Sequence, residues 1–189
     1  MPGPYFRPTS WTAFTYQGTV YTLTHLDEYE LSVVDTDGAT RAIAVTFGDH
    51  CFTRKPEPGD DPNLLYPSSD RNPGHFCFER YRLSLDLAAK ITHATNGKVW
   101  RVQGEHFAAL PVHYEDGRSI MYGIIFSLDR VTGLPVQLHM RVKTAYPVDE
   151  QDPAPETFGE TRFKHLVTLR MKNKMPNRIT GGGKKPSRT

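Results

Sequence analysis

Pro135-Val136-Gln137-Leu138-His139-Met140-Arg141-Val142-Lys143-Thr144-Ala145-Tyr146-Pro147 decides how the chain folds. Leu138, Met140 and Val142 alternate with His139, Arg141 and Lys143, the period of two that gives a strand one dry face and one basic face. Pro147, which has no N–H to donate, ends it. A strand of this kind needs partners along its edges and a cover for its dry face, and the flanking sequence supplies both.

Residues 98–110, 119–128, 135–146 and 162–172 read as four strands. They are separated by Glu115-Asp116-Gly117, Val131-Thr132-Gly133 and the Pro-rich residues 147–159. The short turns between the first three predict antiparallel neighbours. Upstream, residues 18–25, 29–34 and 40–47 also read as strands, and Asp35-Thr36-Asp37-Gly38 supplies a tight hairpin between the last two. Between the two groups, residues 76–83 are expected to be extended. Ser84 is then expected to cap a helix running to about residue 94, with Leu87, Ala88 and Ile91 on one side and Asp86 in the first turn. Asn96-Gly97 stops it. The predicted fold class is α+β: a mainly antiparallel sheet, made of the N-terminal strands plus a four-strand meander, packed on one main helix.

At 189 residues the chain suits one domain, given roughly 100–200 residues per domain. That domain is expected over residues 1–172, with an irregular Pro-rich start at 1–10, a long Pro- and Gly-rich loop at 55–74 and a basic flexible tail at 173–189. No apolar run reaches the ~18 residues that cross a bilayer. The N-terminus lacks the basic start and apolar centre of a signal peptide. A cytoplasmic protein with no membrane partner is the expectation.

Charge is distributed unevenly. Residues 162–189 hold nine of the 23 Lys and Arg and none of the 21 acidic residues, a split that suits a polyanion-binding surface or a solvated tail. If the strands at 135–146 and 162–172 pair, His139, Arg141, Lys143, Arg162, Lys164, Arg170 and Lys172 share one wet face, continuing into Lys174, Arg178, Lys184, Lys185 and Arg188. Such a face suits RNA or another polyanion, where affinity comes largely from charge. Wet faces rich in Lys and Arg are also common on ordinary antiparallel sheets. Gly181-Gly182-Gly183 lacks the spacing of a phosphate loop.

Two cysteines lie in similar settings, His50-Cys51-Phe52 and His75-Phe76-Cys77-Phe78. Adjacent His50 and Cys51 point to opposite sides of an extended chain and do not match the knuckle spacing of a zinc site, so no metal or other cofactor is expected. A disulfide is disfavoured in a reducing compartment, and a Cys–His nucleophile remains open with nothing specific to mark it. A fuller constellation is His50, Thr53 and Arg54 at the end of one strand, Arg80, Tyr81, Arg82 and Ser84 at the helix entrance, and Thr144 with Tyr146. His can exchange a proton near neutral pH, Arg can clamp a phosphate, and Tyr can donate a proton or stack on a base. Each also has a plain structural role.

Thr144-Ala145-Tyr146-Pro147, closing a strand that follows a helix and a run of antiparallel strands, resembles the closing strand of the Barnase-EndoU-ColicinE5/D-RelE-like ribonuclease superfamily, which includes bacterial and phage-associated toxins. His50-Cys51-Phe52-Thr53, Arg80-Tyr81-Arg82-Leu83-Ser84 and Ala145-Tyr146 together also resemble a set of uncharacterised bacterial proteins. The ribonuclease resemblance covers about residues 76–172. It implies a metal-independent endoribonuclease of toxin type, with RNA as substrate and a cognate inhibitor protein as partner. Thr144 and Tyr146 carry over by position; His50, Arg80 and Arg82 carry over by chemical type. The competing class is a non-catalytic RNA-binding or protein-interaction module of a bacterial, phage or mobile-element system. One departure from the ribonuclease pattern concerns alternation. In a regular strand Arg141 and Thr144 face opposite ways, so one site would need a bulge or an edge twist.

Overall fold

A computed structural model describes residues 5–6, 11–67, 73–114 and 117–175. In chain order its elements are β1 (Phe14–Tyr16), β2 (Thr19–Tyr21), β3 (Tyr29–Val34), β4 (Thr40–His50), β5 (Thr53–Arg54), β6 (Leu65–Tyr66), β7 (Gly74–Phe76), α1 (Phe78–Ser84), α2 (Leu87–Ala94), β8 (Lys98–Val102), β9 (Glu105–His113), β10 (Ser119–Arg130), β11 (Leu138–Val148), β12 (Glu160–Arg162) and α3 (Phe163–Met171). Seven strands form the main sheet in the order β12-β8-β9-β10-β11-β4-β3.

The meander over β8, β9, β10 and β11 is antiparallel, and β3 and β4 form the expected hairpin. There the Asp35 carbonyl accepts from the Gly38 amide at 3.1 Å. The sheet as a whole is mixed, because β11 pairs parallel with β4. The cause is visible in β4, where Ile43, Ala44 and Val45 are all fully buried. β4 lies inside the sheet, between β11 and β3, and strands covered on both faces read as continuous apolar runs. The run at 98–110 is two strands, since Gly104 at φ 75° turns the chain between β8 and β9.

Two further expectations are corrected. Residues 162–172 are chiefly helix α3 and not a fourth meander strand; only Glu160–Arg162 pairs, with β8. Phe163, Leu166 and Val167 recur at i, i+3 and i+4 and are buried together, whereas the alternating reading would also have buried His165, which is exposed. Residues 76–83 are not extended beyond Phe76. Helix α1 begins at Phe78, and Ser84, instead of capping a helix, lies in the last turn of α1 and donates to the Tyr81 carbonyl at 2.7 Å. Leu83, Leu87 and Ile91, four residues apart, are buried across the α1–α2 join. The single main helix is therefore three short ones.

Helices α2 and α3 cover the same side of the sheet. Lys90 of α2 lies 5.4 Å from the Tyr122 ring, and Phe163 of α3 lies 5.9 Å from Phe126, four residues further along β10. The hairpin β1–β2 and a small sheet ordered β5-β7-β6 meet α1 through an aromatic group. Phe14 stacks on Phe76 at 4.3 Å, Phe52 meets Tyr66 at 4.9 Å, and Tyr81 of α1 lies 5.5 Å from Phe76. Aromatic burial of this density fixes the seat of α1 and hence the direction of its polar side chains. Residues 1–4, 7–10, 68–72, 115–116 and 176–189 lie outside the described residues, and with them most of the proposed irregular start, most of the proposed tail and part of the proposed loop. No helix among the described residues is long and apolar enough to cross a membrane.

Candidate functional site at the end of the central strands

The bulge that the sequence would need is present. On β11, Val142 pairs with Phe126 and Thr144 with Ile125, so Lys143 is an extra residue in the ladder. Arg141 pairs with Ser127, two residues from Ile125 on β10, which puts Arg141 and Thr144 on the same face. Opposite the bulge, Gly48 of β4 comes so close that a Cβ there would stand 2.8 Å from the Lys143 carbonyl oxygen. Only glycine allows that approach without moving a strand. Gly48→Ala is expected to cost about 2 kcal/mol by overpacking against backbone, read as a lowered urea midpoint; an unchanged midpoint would show that the ladder absorbs the methyl group.

Past the bulge, β4 and β11 carry His50 and Thr144 as partners, and the Thr144 hydroxyl donates to the His50 carbonyl at 3.2 Å. Arg80, buried on α1, reaches the same place. One terminal nitrogen donates to the Thr53 carbonyl at 2.8 Å and to the His50 carbonyl at 3.3 Å, and the other meets Asp152 at 2.6 Å. Its guanidinium stands 5.6 Å from the Tyr146 ring centre. The Tyr146 hydroxyl donates to the Pro153 carbonyl at 3.4 Å, and burial raises its pKa, helped by Asp152 and opposed by Arg80. His50, Arg80, Thr144 and Tyr146 are thus brought together. Arg80 and Thr144 share the His50 carbonyl as acceptor; the His50 side chain itself is exposed.

Arg82 is not part of this group. It lies 5.1 Å from the ring of Tyr114, beside a cleft of about 600 Å³ between the α1–α2 turn and the β9–β10 end, lined in part by Leu85, Asp86, Lys90 and Val112. The sequence named Arg82 but assigned it to the wrong neighbourhood. Of the rest of the cleft, only the Asp86–Lys90 spacing of four along a helix was a readable signal; those two side chains form an ion pair.

The seven-residue basic face is not formed. His139 stacks on Phe6 at 3.7 Å and bonds Thr46 Oγ1 at 2.7 Å, and burial lowers its pKa. Lys143 pairs with Glu105, Arg170 with Asp129 at 2.5 Å and Lys172 with Asp37 at 2.7 Å. Lys164 and Arg170 belong to α3, which lies against the side of the sheet that carries Phe126, while Arg141 occupies the opposite side and Arg162 sits on the far strand β12. The reason is the helix: a 3.6-residue period spreads side chains that a strand would align. Lys174, too, follows α3 and continues no sheet face; Arg178, Lys184, Lys185 and Arg188 lie outside the described residues.

Cys51 is buried and free, its thiol pushed up to about 12 by burial, and Cys77 is free and half-buried. Among the described residues no three His, Cys, Asp or Glu side chains cluster to hold a metal ion. No curated protein and no solved structure matches the chain. A family model does, from just ahead of β1 to near the end of α3, taking in the main sheet, the bulge and all three helices; by that match over residues 13–170 the chain belongs to the YjaZ family.

Proposed function

We propose that the protein is a nucleic-acid-directed binding module that holds RNA without cleaving it. Metal-independent cleavage requires a charge clamp and a proton donor free to meet the phosphate. The observation that carries the reading is the commitment of Arg80 and Tyr146 to the protein itself: two backbone carbonyls and Asp152 occupy the guanidinium, and a third carbonyl takes the Tyr146 proton. Support for an anionic partner comes from the uneven charge, with nine Lys and Arg and no acidic residue after Thr161.

The endoribonuclease reading implied by the toxin resemblance is the second reading, favoured by one observation. The bulge at Lys143 gathers Thr144, Tyr146 and Arg80 about His50, whose imidazole is exposed. Incubation of total RNA in EDTA with the wild type and with a His50→Ala, Tyr146→Phe double variant separates the two. Intact RNA with both proteins is expected, together with a gel shift that weakens about tenfold or more between 50 and 200 mM salt. Degradation by the wild type but not by the double variant would overturn the binding module in favour of the nuclease, and absence of any shift would remove RNA as the partner.

A further inference from the structure

The geometry points to the cleft between the α1–α2 turn and the β9–β10 end as the seat of a single nucleotide unit, its phosphate on Arg82 and its base over the apolar wall. This rests on the reading of the protein as a nucleic-acid-directed module and supplies the site that the dispersed basic residues do not.

Size restricts the occupant first. About 600 Å³ lies within the roughly 300–1,000 Å³ range of small-molecule sites, and it is too small for a duplex or a folded domain.

Chemistry restricts it further. Arg82 has no carboxylate partner among the described residues, unlike Arg80, Arg170 and Lys143, which are each paired. Its guanidinium, 5.1 Å from the Tyr114 ring centre, is held in place by the ring. The ring in turn is anchored by its hydroxyl, which donates to Glu79 at 3.2 Å. A planar fork of donors already seated beside a ring loses little freedom on meeting two phosphate oxygens.

The other walls differ from those of a plain anion site. Leu85 is 52% exposed beside half-buried Val112, an apolar surface that suits the face of a base. Lys90 donates to the Leu83 carbonyl at 3.0 Å and pairs with Asp86, so its charge is already balanced. The Asp86 carboxylate is 65% exposed and has accepting capacity left for a ribose hydroxyl or an exocyclic amine. An acidic peptide would satisfy Arg82 and leave Leu85, Val112 and Asp86 unmatched. A nucleotide matches all of them.

Calorimetric titration of the full chain with adenosine 5′-monophosphate tests the assignment, beside adenosine, inorganic phosphate and an acidic tripeptide. Saturable binding of the nucleotide is expected, with each of the other three at least about tenfold weaker. Arg82→Gln, which keeps the stem and removes the charge, is expected to weaken nucleotide binding at least about tenfold at an unchanged unfolding midpoint. Arg141→Ala, on the opposite side of the sheet, is expected to leave it unaltered. No saturation by the nucleotide, equal binding by Arg82→Gln, or equal binding of the tripeptide would overturn the assignment. A gel shift of single-stranded RNA run in parallel keeps the two levels apart. RNA shifted equally by wild type and Arg82→Gln retains the binding module and sinks the cleft; nucleotide binding that depends on Arg82 without any RNA shift does the reverse.

Discussion

Arg80→Ala is expected to lower the unfolding free energy by about 3 kcal/mol, the loss of charge-assisted bonds to buried carbonyls together with a packed stem. The side chain is 9% exposed and ties three segments that are distant in sequence: the turn after β4, helix α1 and the connection that follows β11. With the guanidinium gone, the Thr53 carbonyl is left without this partner, and no solvent replaces it readily. Asp152, by contrast, is 51% exposed and rehydrates. Asp152→Asn is accordingly expected to cost no more than about 1 kcal/mol. Urea denaturation of the two variants checks the asymmetry. An Arg80→Ala protein as stable as the wild type would mean that the guanidinium is free for a ligand, and it would return Arg80 to the list of catalytic candidates. Arg80→Lys should fall between, because an ammonium group reaches one acceptor where the fork reaches several.

The stretch at 135–147 gave β11 and its dry face correctly, because strict alternation over Leu138, Met140 and Val142 leaves few other packings. The hairpin over Asp35–Gly38 was equally plain, being local. What escaped was set by contacts remote in sequence. Residues 163–171 satisfy both periods, and burial of Phe163 against Phe126 selects the helix. The parallel pairing of β4 with β11 joins strands with some 90 residues between them, a range at which no local propensity speaks. The bulge at Lys143 is the most instructive case. Nothing in Arg141-Val142-Lys143-Thr144 announces it, yet it moves Thr144 and Tyr146 onto the face of Arg141 and so draws the sequence-nominated residues together. Gly48 is the residue that permits it, and in the sequence it passes for the end of a strand. Arg80 and Arg82 show the complementary difficulty. Two residues apart on a helix, they point to different parts of the molecule, and sequence proximity alone put them in one site.

Acidification from pH 6.5 to 4 is expected to remove roughly 3 kcal/mol of stability through His106 alone. His106 is 3% exposed on β9, and its Nδ1 is buried without a partner among the described residues. Burial first, then the charges of Arg170 of α3 and Arg101 of β8, lower its pKa to about 4 against the opposing pull of Asp129 of β10. The unfolded chain, with an ordinary histidine near 6.5, therefore binds a proton that the folded protein refuses. Stability from this group is complete above pH 6.5, falls as pH drops through the window between the two values, and levels off below about 4. Carboxylates held low in the folded state act in the same direction; Asp60, whose pKa the Arg54 bond lowers to about 2, is one of them, so the wild-type curve alone does not isolate the histidine. The difference between wild type and His106→Phe does. Phenylalanine fits beside Phe126, 5.6 Å from the present ring, and carries no proton. Urea unfolding of both proteins at pH 7.5, 6, 5 and 4.5 should show the stability of the wild type minus that of His106→Phe falling on acidification, whichever protein is the more stable at pH 7.5, as the wild type loses the histidine contribution. Curves that stay parallel throughout would mean that His106 takes up its proton in the folded protein as readily as in the unfolded chain, and that Arg170, already bound to the Leu128 carbonyl and Asp129, tolerates a second cation beneath α3.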